Sequence, residues 1–152
     1  MKPMSGIFLL MCMPLAVAKS NEAYPKEKVA EFVVGKLDLT SIPSTIGPKR
    51  EKGKRTFGDY GYVTSKLDEN QALIEGPQAR IAINILEENK SGIYVCFNAQ
   101  AQKQGSAQIQ RVLLLKLKNG TGLLKGRESW KEFASCPVIG ETGSAANASS
   151  GY

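Results

Sequence analysis

The chain has 152 residues, of which 20 are Lys or Arg, 14 are Asp or Glu, three are Cys and none is His. A hydrophobic fraction of 42% and a charged fraction of 22% are typical of one globular domain, and they exclude a disordered chain and a protein with several membrane spans. The absence of His excludes imidazole-dependent nucleophilic catalysis, His-ligated zinc and histidine pH switches.

The first 18 residues have the organisation of a secretory signal peptide. Lys2 supplies the positive charge, an apolar run covers residues 7–13, and Ala16 and Ala18 are the small residues before the boundary. We therefore predict cleavage after Ala18 and export to the periplasm or the extracellular space. The apolar run is shorter than the roughly 20 residues that span a bilayer, so we expect no transmembrane span in the mature chain.

The mature chain after this cleavage keeps two cysteines, Cys96 and Cys136, and has 19 basic and 14 acidic residues. Two cysteines in an oxidising compartment most simply form one disulfide bond. Their spacing lacks the Cys-x-x-Cys pattern of a redox couple. We predict a structural Cys96–Cys136 disulfide.

The mature chain opens with an amphipathic pattern. Pro25 precedes apolar residues at Val29, Phe32, Val33 and Leu37, the spacing of a helix that begins at proline. Residues 38–58 are rich in Gly, Pro and charge and predict a loop without regular structure.

From residue 60 onward, apolar and polar residues alternate, which indicates β-strands. Turn residues separate the runs, including Asn119-Gly120, a pair favoured in tight hairpins. The predicted fold class is α+β, with the N-terminal helix packed on an antiparallel β-meander of about five or six strands. Residues 19–140 form the single domain, and residues 141–152 form a flexible low-complexity tail. The predicted strands are Tyr60–Leu67, Gln71–Glu75, Arg80–Glu87, Ile93–Ala99, Ile109–Lys118 and Leu123–Arg127.

A dense run of positive charge lies in the predicted loop, beside tyrosines. Such a cluster can bind an anionic polymer or an acidic protein surface, and nucleic acid is disfavoured because an exported protein meets other polyanions first. A solvated loop with no partner is the alternative. The candidate partner-binding residues are Lys49, Arg50, Lys52, Lys54, Arg55, Tyr60 and Tyr62.

We expect a non-enzymatic exported binding module, such as an inhibitor or immunity-type protein. The P-loop spacing fails around Gly53, and neither Ser-x-x-Lys nor Gly-x-Ser-x-Gly occurs. Nothing in the sequence assigns a cofactor or a metal. One alternative is a hydrolase of cell-wall or extracellular polysaccharide that uses two carboxylates; another is a structural envelope protein. The candidate carboxylates are Asp59, Asp68, Glu69, Glu75, Glu87, Glu88, Glu128 and Glu132.

Overall fold

The structure, a computed structural model, describes residues 24–43, 47–102 and 107–140. The predicted signal peptide (1–18) and tail (141–152) lie outside these ranges. No helix within them is long and apolar enough to cross a membrane. The elements are helix α1 (Val29–Lys36), a 3-10 turn (Leu39–Ser41) and strands β1 (Leu37–Asp38), β2 (Val63–Leu67), β3 (Gln71–Glu75), β4 (Ala79–Asn89), β5 (Gly92–Ala101), β6 (Gln108–Leu117) and β7 (Leu124–Glu128).

The fold is mostly β, with 45% of the described residues in strands of one curled, mixed sheet. The strand order is β1-β7-β6-β5-β4-β3-β2. From β2 to β7, each strand is antiparallel to the next in the chain, as the alternating sequence predicts. The expected antiparallel meander of five or six strands is nevertheless wrong, because the sheet has seven strands and β1 pairs parallel to β7.

Strand β1 and the turn after it lie where the sequence predicted the end of the helix and the start of a loop. Leu37 and Asp38 pair with Leu124 and Lys125 of β7, and the 3-10 turn follows at once. Two residues are too few to show a strand period. The extended conformation here depends on pairing with a strand almost 90 residues away, which local patterns do not encode.

Helix α1 is shorter than predicted and begins later. Pro25 precedes the helix, and Lys28 has a left-handed backbone conformation (φ 54°, ψ 40°), so the helix begins at Val29. Its buried residues Val29, Ala30 and Val33 lie against β3 and β4. The helix is therefore a two-turn element that covers part of the sheet rather than a full layer on a meander.

The main core fills the inner face of the curled sheet. Alternate residues of the strands meet α1 and the segment from Leu37 to Tyr62 there. The contributions of β4, β5 and β6 are Ile81, Ile83, Ile93, Val95, Phe97, Leu113 and Leu115, all fully buried. The alternation of apolar residues is thus the property that places one face of each strand in the core.

The outer face of the sheet carries a second, smaller cluster beneath the C-terminal segment, which we define as residues 129–140. Cys96 and Cys136 form a disulfide with 5.6 Å between their Cα atoms, which confirms the predicted pairing. Ile139 forms a bridge with Gln110 of β6. This segment covers part of β6 beyond the end of β7.

Candidate binding surface

The basic loop, defined as residues 47–58, is attached to the core at both ends. The Gly47 amide donates a hydrogen bond to the Pro43 carbonyl (3.1 Å), and the Leu39 amide donates one to the Arg55 carbonyl (2.7 Å). Pro48 is buried. The loop is therefore an ordered part of the fold, although most of it lacks regular secondary structure.

Asp59 organises the second half of the loop. Its Oδ2 accepts hydrogen bonds from the amides of Arg55 (2.9 Å) and Thr56 (2.8 Å) and from the Thr56 hydroxyl (2.9 Å). These bonds, led by the Thr56 amide, hold the pKa of Asp59 below its ordinary value. The carboxylate stays ionised at neutral pH and fixes the turn.

The five cations of the basic loop divide into two groups. Lys54 forms an ion pair with Glu51 (2.7 Å) and lies 5.5 Å from the centre of the Tyr60 ring. Arg55 forms an ion pair with the buried carboxylate of Asp38. These two side chains are engaged within the fold.

Lys49, Arg50 and Lys52 form the second group and are exposed. Within the three described ranges of the chain, none of them forms an ion pair. The chain is held at buried Pro48, before Lys49, and at Glu51, between Arg50 and Lys52. The Glu51 amide donates a hydrogen bond to the Tyr60 hydroxyl (3.1 Å). We call Lys49, Arg50 and Lys52 the exposed cations.

The two candidate tyrosines belong to the core. Tyr60 and Tyr62 are each 8% exposed, and the Tyr62 ring meets Phe57 edge-on with 5.7 Å between centroids. Gly76 lies so close to the Tyr62 ring that a Cβ atom there would overlap it. Burial, with the charge of Tyr60 second, raises the pKa of Tyr62. Because both rings are buried, flat stacking of a ligand on them is not available.

A shallow groove, which we call the alanine groove, lies beside the start of the basic loop. Its floor is the inner face of the sheet at the ends of β4, β5 and β6, where Ala79 pairs with Ala101 and Ala99 lies between Ile81 and Ile109. Its walls are Gly47, Pro48, Tyr62, Gln78 and Ala107. The sequence analysis missed this groove.

The size of the inward side chains is the sequence signal that indicates the groove. Along β5 they are Ile93, Val95, Phe97, Ala99 and Ala101, so large residues give way to alanine at one end. The main core is filled where the residues are large, and a depression is left where they are small. The depression could not be predicted from the sequence, because its position depends on the pairing register of three strands.

The eight candidate carboxylates are distributed over several parts of the surface. Three form ion pairs: Asp68 with Lys66 (3.1 Å), Glu75 with Arg80 (3.1 Å) and Glu87 with Lys131 (2.5 Å). Asp59 fixes the basic loop, and Glu69, Glu88, Glu128 and Glu132 are exposed.

The shifted pKa values run against a general acid. Hydrogen bonds from Lys131 and then Asn89 hold the pKa of Glu87 low, and that of Asp59 is also low. A general acid that works near neutral pH needs a raised pKa. Asp68 and Glu69 share a groove with Glu27 and Glu31 near the start of α1, but these groups are solvent-facing and lie beside Lys28.

Trp130 is another residue that the sequence analysis did not single out as a site. Its side chain is 97% exposed, although both of its neighbours are fixed. The Ser129 amide donates to the Val112 carbonyl (2.9 Å), and the Lys131 ammonium lies over the rings of Tyr94 and Phe133. The fold therefore holds this indole in solvent.

Comparison of the chain with protein-family models, curated proteins and solved structures finds no match. The functional argument therefore depends on the chain's own residues.

Proposed function

We propose that the protein is an exported, non-enzymatic binding module that engages an acidic protein surface or an anionic polymer through Lys49, Arg50 and Lys52. One observation carries the proposal: three exposed cations, without ion pairs in the described part of the chain, lie within four residues on an ordered loop.

The energetics of this arrangement favour an anionic partner. Like charges close together repel each other, and an anionic surface relieves that repulsion. Because the loop backbone is already fixed at Pro48 and Glu51, binding has to order only the side chains. The net positive charge of the mature chain adds long-range attraction and raises the rate of encounter.

Two features support the exported location. The N-terminal pattern is that of a signal peptide, and the Cys96–Cys136 disulfide is compatible with an oxidising compartment.

The experiment that tests the proposal is affinity capture from an envelope extract of the native cell, with residues 19–152 as bait. The test variant is Lys49→Gln/Arg50→Gln/Lys52→Gln. The matched control, Lys90→Gln/Lys118→Gln/Lys125→Gln, removes the same charge from three other exposed lysines. Beads that carry poly-L-glutamate distinguish a general polyanion from a specific protein.

We expect the wild type and the control to retain a partner that the test variant loses, with retention that weakens as salt is raised. All three proteins should unfold at nearly the same temperature, because exposed charges contribute little to stability. Equal retention by the test variant and the wild type, or no retention by any of the three, would refute the proposal.

A further inference from the structure

The alanine groove adjoins the exposed cations and has the features of a separate ligand site. It encloses about 210 Å³, which is below the roughly 300 Å³ of the smallest drug-sized pockets. That size suits one hydrocarbon chain and is too small for the two chains of a phospholipid. Its floor of alanine and isoleucine side chains offers dispersion contacts and no hydrogen bonds.

The hydroxyl of Tyr62 gives the groove a polar group in need of a partner. Tyr62 is 92% buried, since only 8% of it is exposed, and it lines the groove. Its hydroxyl forms no hydrogen bond with the described residues. Every side-chain oxygen or nitrogen of those residues that is fully buried has a hydrogen-bond partner. The hydroxyl therefore keeps its contact with solvent, and a ligand oxygen can replace water as the acceptor of its hydrogen bond.

Two of the exposed cations directly follow a wall of the groove in the chain. Pro48 forms one wall, and the chain passes directly from it to Lys49 and Arg50. Consecutive Cα atoms are about 3.8 Å apart, so the backbone of both cations lies within about 8 Å of that wall. Their long side chains can reach an anionic group at the rim.

We propose that the alanine groove binds a single acyl chain of a monoanionic amphiphile, whose anionic group contacts Lys49, Arg50 and the Tyr62 hydroxyl. A peptide fits less well, because its backbone amides need hydrogen-bond partners and the groove lining supplies side-chain polar groups only at Tyr62 and Gln78. This site goes beyond the proposed function, since it takes a small ligand and does not depend on the macromolecular partner.

The test uses decanoate, below the concentration at which it forms micelles, and the mature chain, residues 19–152. Amide chemical shifts in NMR locate the ligand, and calorimetry gives its affinity. We expect shifts at Ala99 and Ala101 that saturate. Acetate, which has the charge without the chain, should cause none of them.

Three variants separate the parts of the site. Ala101→Phe fills the groove from an exposed position and should weaken decanoate binding at least about tenfold. Tyr62→Phe removes one hydroxyl, keeps the ring against Phe57, and should weaken binding several-fold. Lys49→Gln/Arg50→Gln should weaken decanoate binding about tenfold and leave decanol binding unchanged; Lys118→Gln/Lys125→Gln should change neither.

Three results would overturn the proposal. The first is shifts confined to Lys49 and Arg50, which would mean surface anion binding alone. The second is unchanged affinity in folded Ala101→Phe, and the third is tighter binding of an acidic peptide with a terminal leucine than of decanoate. Each is distinct from failure of the proposed function, because the absence of a macromolecular partner would leave the decanoate shifts of the wild-type chain unaffected.

Discussion

At the scale of single residues, the ion pair between Asp38 and Arg55 attaches the basic loop to the fold. Asp38 is 4% exposed, and its Oδ1 also accepts hydrogen bonds from the amide (3.1 Å) and the hydroxyl (2.6 Å) of Thr40. Burial raises the pKa of Asp38, but the hydrogen bonds from Arg55 and Thr40 outweigh it, and the pKa lies below its ordinary value of 3.8.

Replacement of Asp38 by Asn should lower the free energy of unfolding by about 2 kcal/mol at pH 7, because a charged hydrogen bond is lost while Arg55, whose side chain is 41% exposed, stays partly solvated. The depressed pKa stabilises the fold above about pH 4, and this contribution disappears as pH falls through the folded-state value. The difference between the two proteins should therefore shrink below pH 4. Urea unfolding between pH 2.5 and 7 measures it.

Asp68→Asn is the control for that comparison. Asp68 pairs with Lys66 on the surface, where both side chains are more than half exposed, so its loss should cost less than about 0.5 kcal/mol. An Asp38→Asn protein as stable as this control at pH 7 would mean that the ion pair does not anchor the loop.

The tyrosines show where prediction from residue type fails. Tyr60 and Tyr62 have the spacing of a strand, but Gly61 has a φ of 74°, a conformation that glycine adopts readily and other residues avoid. The chain turns there, and β2 begins only at Val63. The spacing of two aromatic residues does not reveal a turn that depends on the φ of the residue between them.

At the scale of elements, the prediction succeeded where the pattern is long. Ile81, Ile83 and Ile85 alternate with polar or small residues, as do Ile93 and Val95 on the next strand, and a period of two identifies a strand with one buried face. Strand β1 is too short to have a period. The charge run likewise predicted a basic loop, whereas the alanine groove depends on strand register and on the packing of Pro48, which no local window contains.

The C-terminal segment is held to the sheet by the disulfide and by hydrogen bonds to β6, including those from Gln110 Nε2 to the Pro137 carbonyl (2.7 Å) and from Arg111 Nη1 to the Ile139 carbonyl (2.6 Å). The disulfide closes a loop of 40 residues, and the hydrogen bonds between Gln110 and Ile139 (2.9 and 3.2 Å) hold the end of the segment against β6. The remaining apolar contacts on this face are few. Without the disulfide, the segment should open more easily than the sheet does.

A Cys96→Ala/Cys136→Ala variant should lose about 4 kcal/mol of stability in the chain-entropy account of disulfides. Amide hydrogen exchange should accelerate first at Gln110 and Ile139, while the inner strands of the sheet keep their protection. Reduction of the wild type provides the control, since it breaks the same bond without changing a side chain. Uniform acceleration across the sheet would show instead that the segment and the sheet open as one unit.

At the scale of the whole molecule, the disulfide makes the stability of the fold depend on the redox state of its compartment. The mature chain has one disulfide and a modest core, so a contribution of about 4 kcal/mol is a large part of the 5–15 kcal/mol typical of a folded domain. Thiols stay reduced in a cytosol and pair in a periplasm. The compartment that the N-terminal pattern predicts is therefore the one in which the fold is most stable.

Expression of residues 1–152 in a bacterial host should give periplasmic protein that begins at Lys19 and has no free thiol. Residues 19–152 expressed without the first 18 should stay in the cytosol, keep two free thiols, and unfold at a lower urea concentration until oxidised. Ala16→Leu/Ala18→Leu should block cleavage, because the peptidase site accepts small residues. Mass spectrometry of unreduced protein measures both the cleavage site and the number of free thiols. An uncleaved wild-type chain without free thiols in the cytosol would contradict the link between export and oxidation.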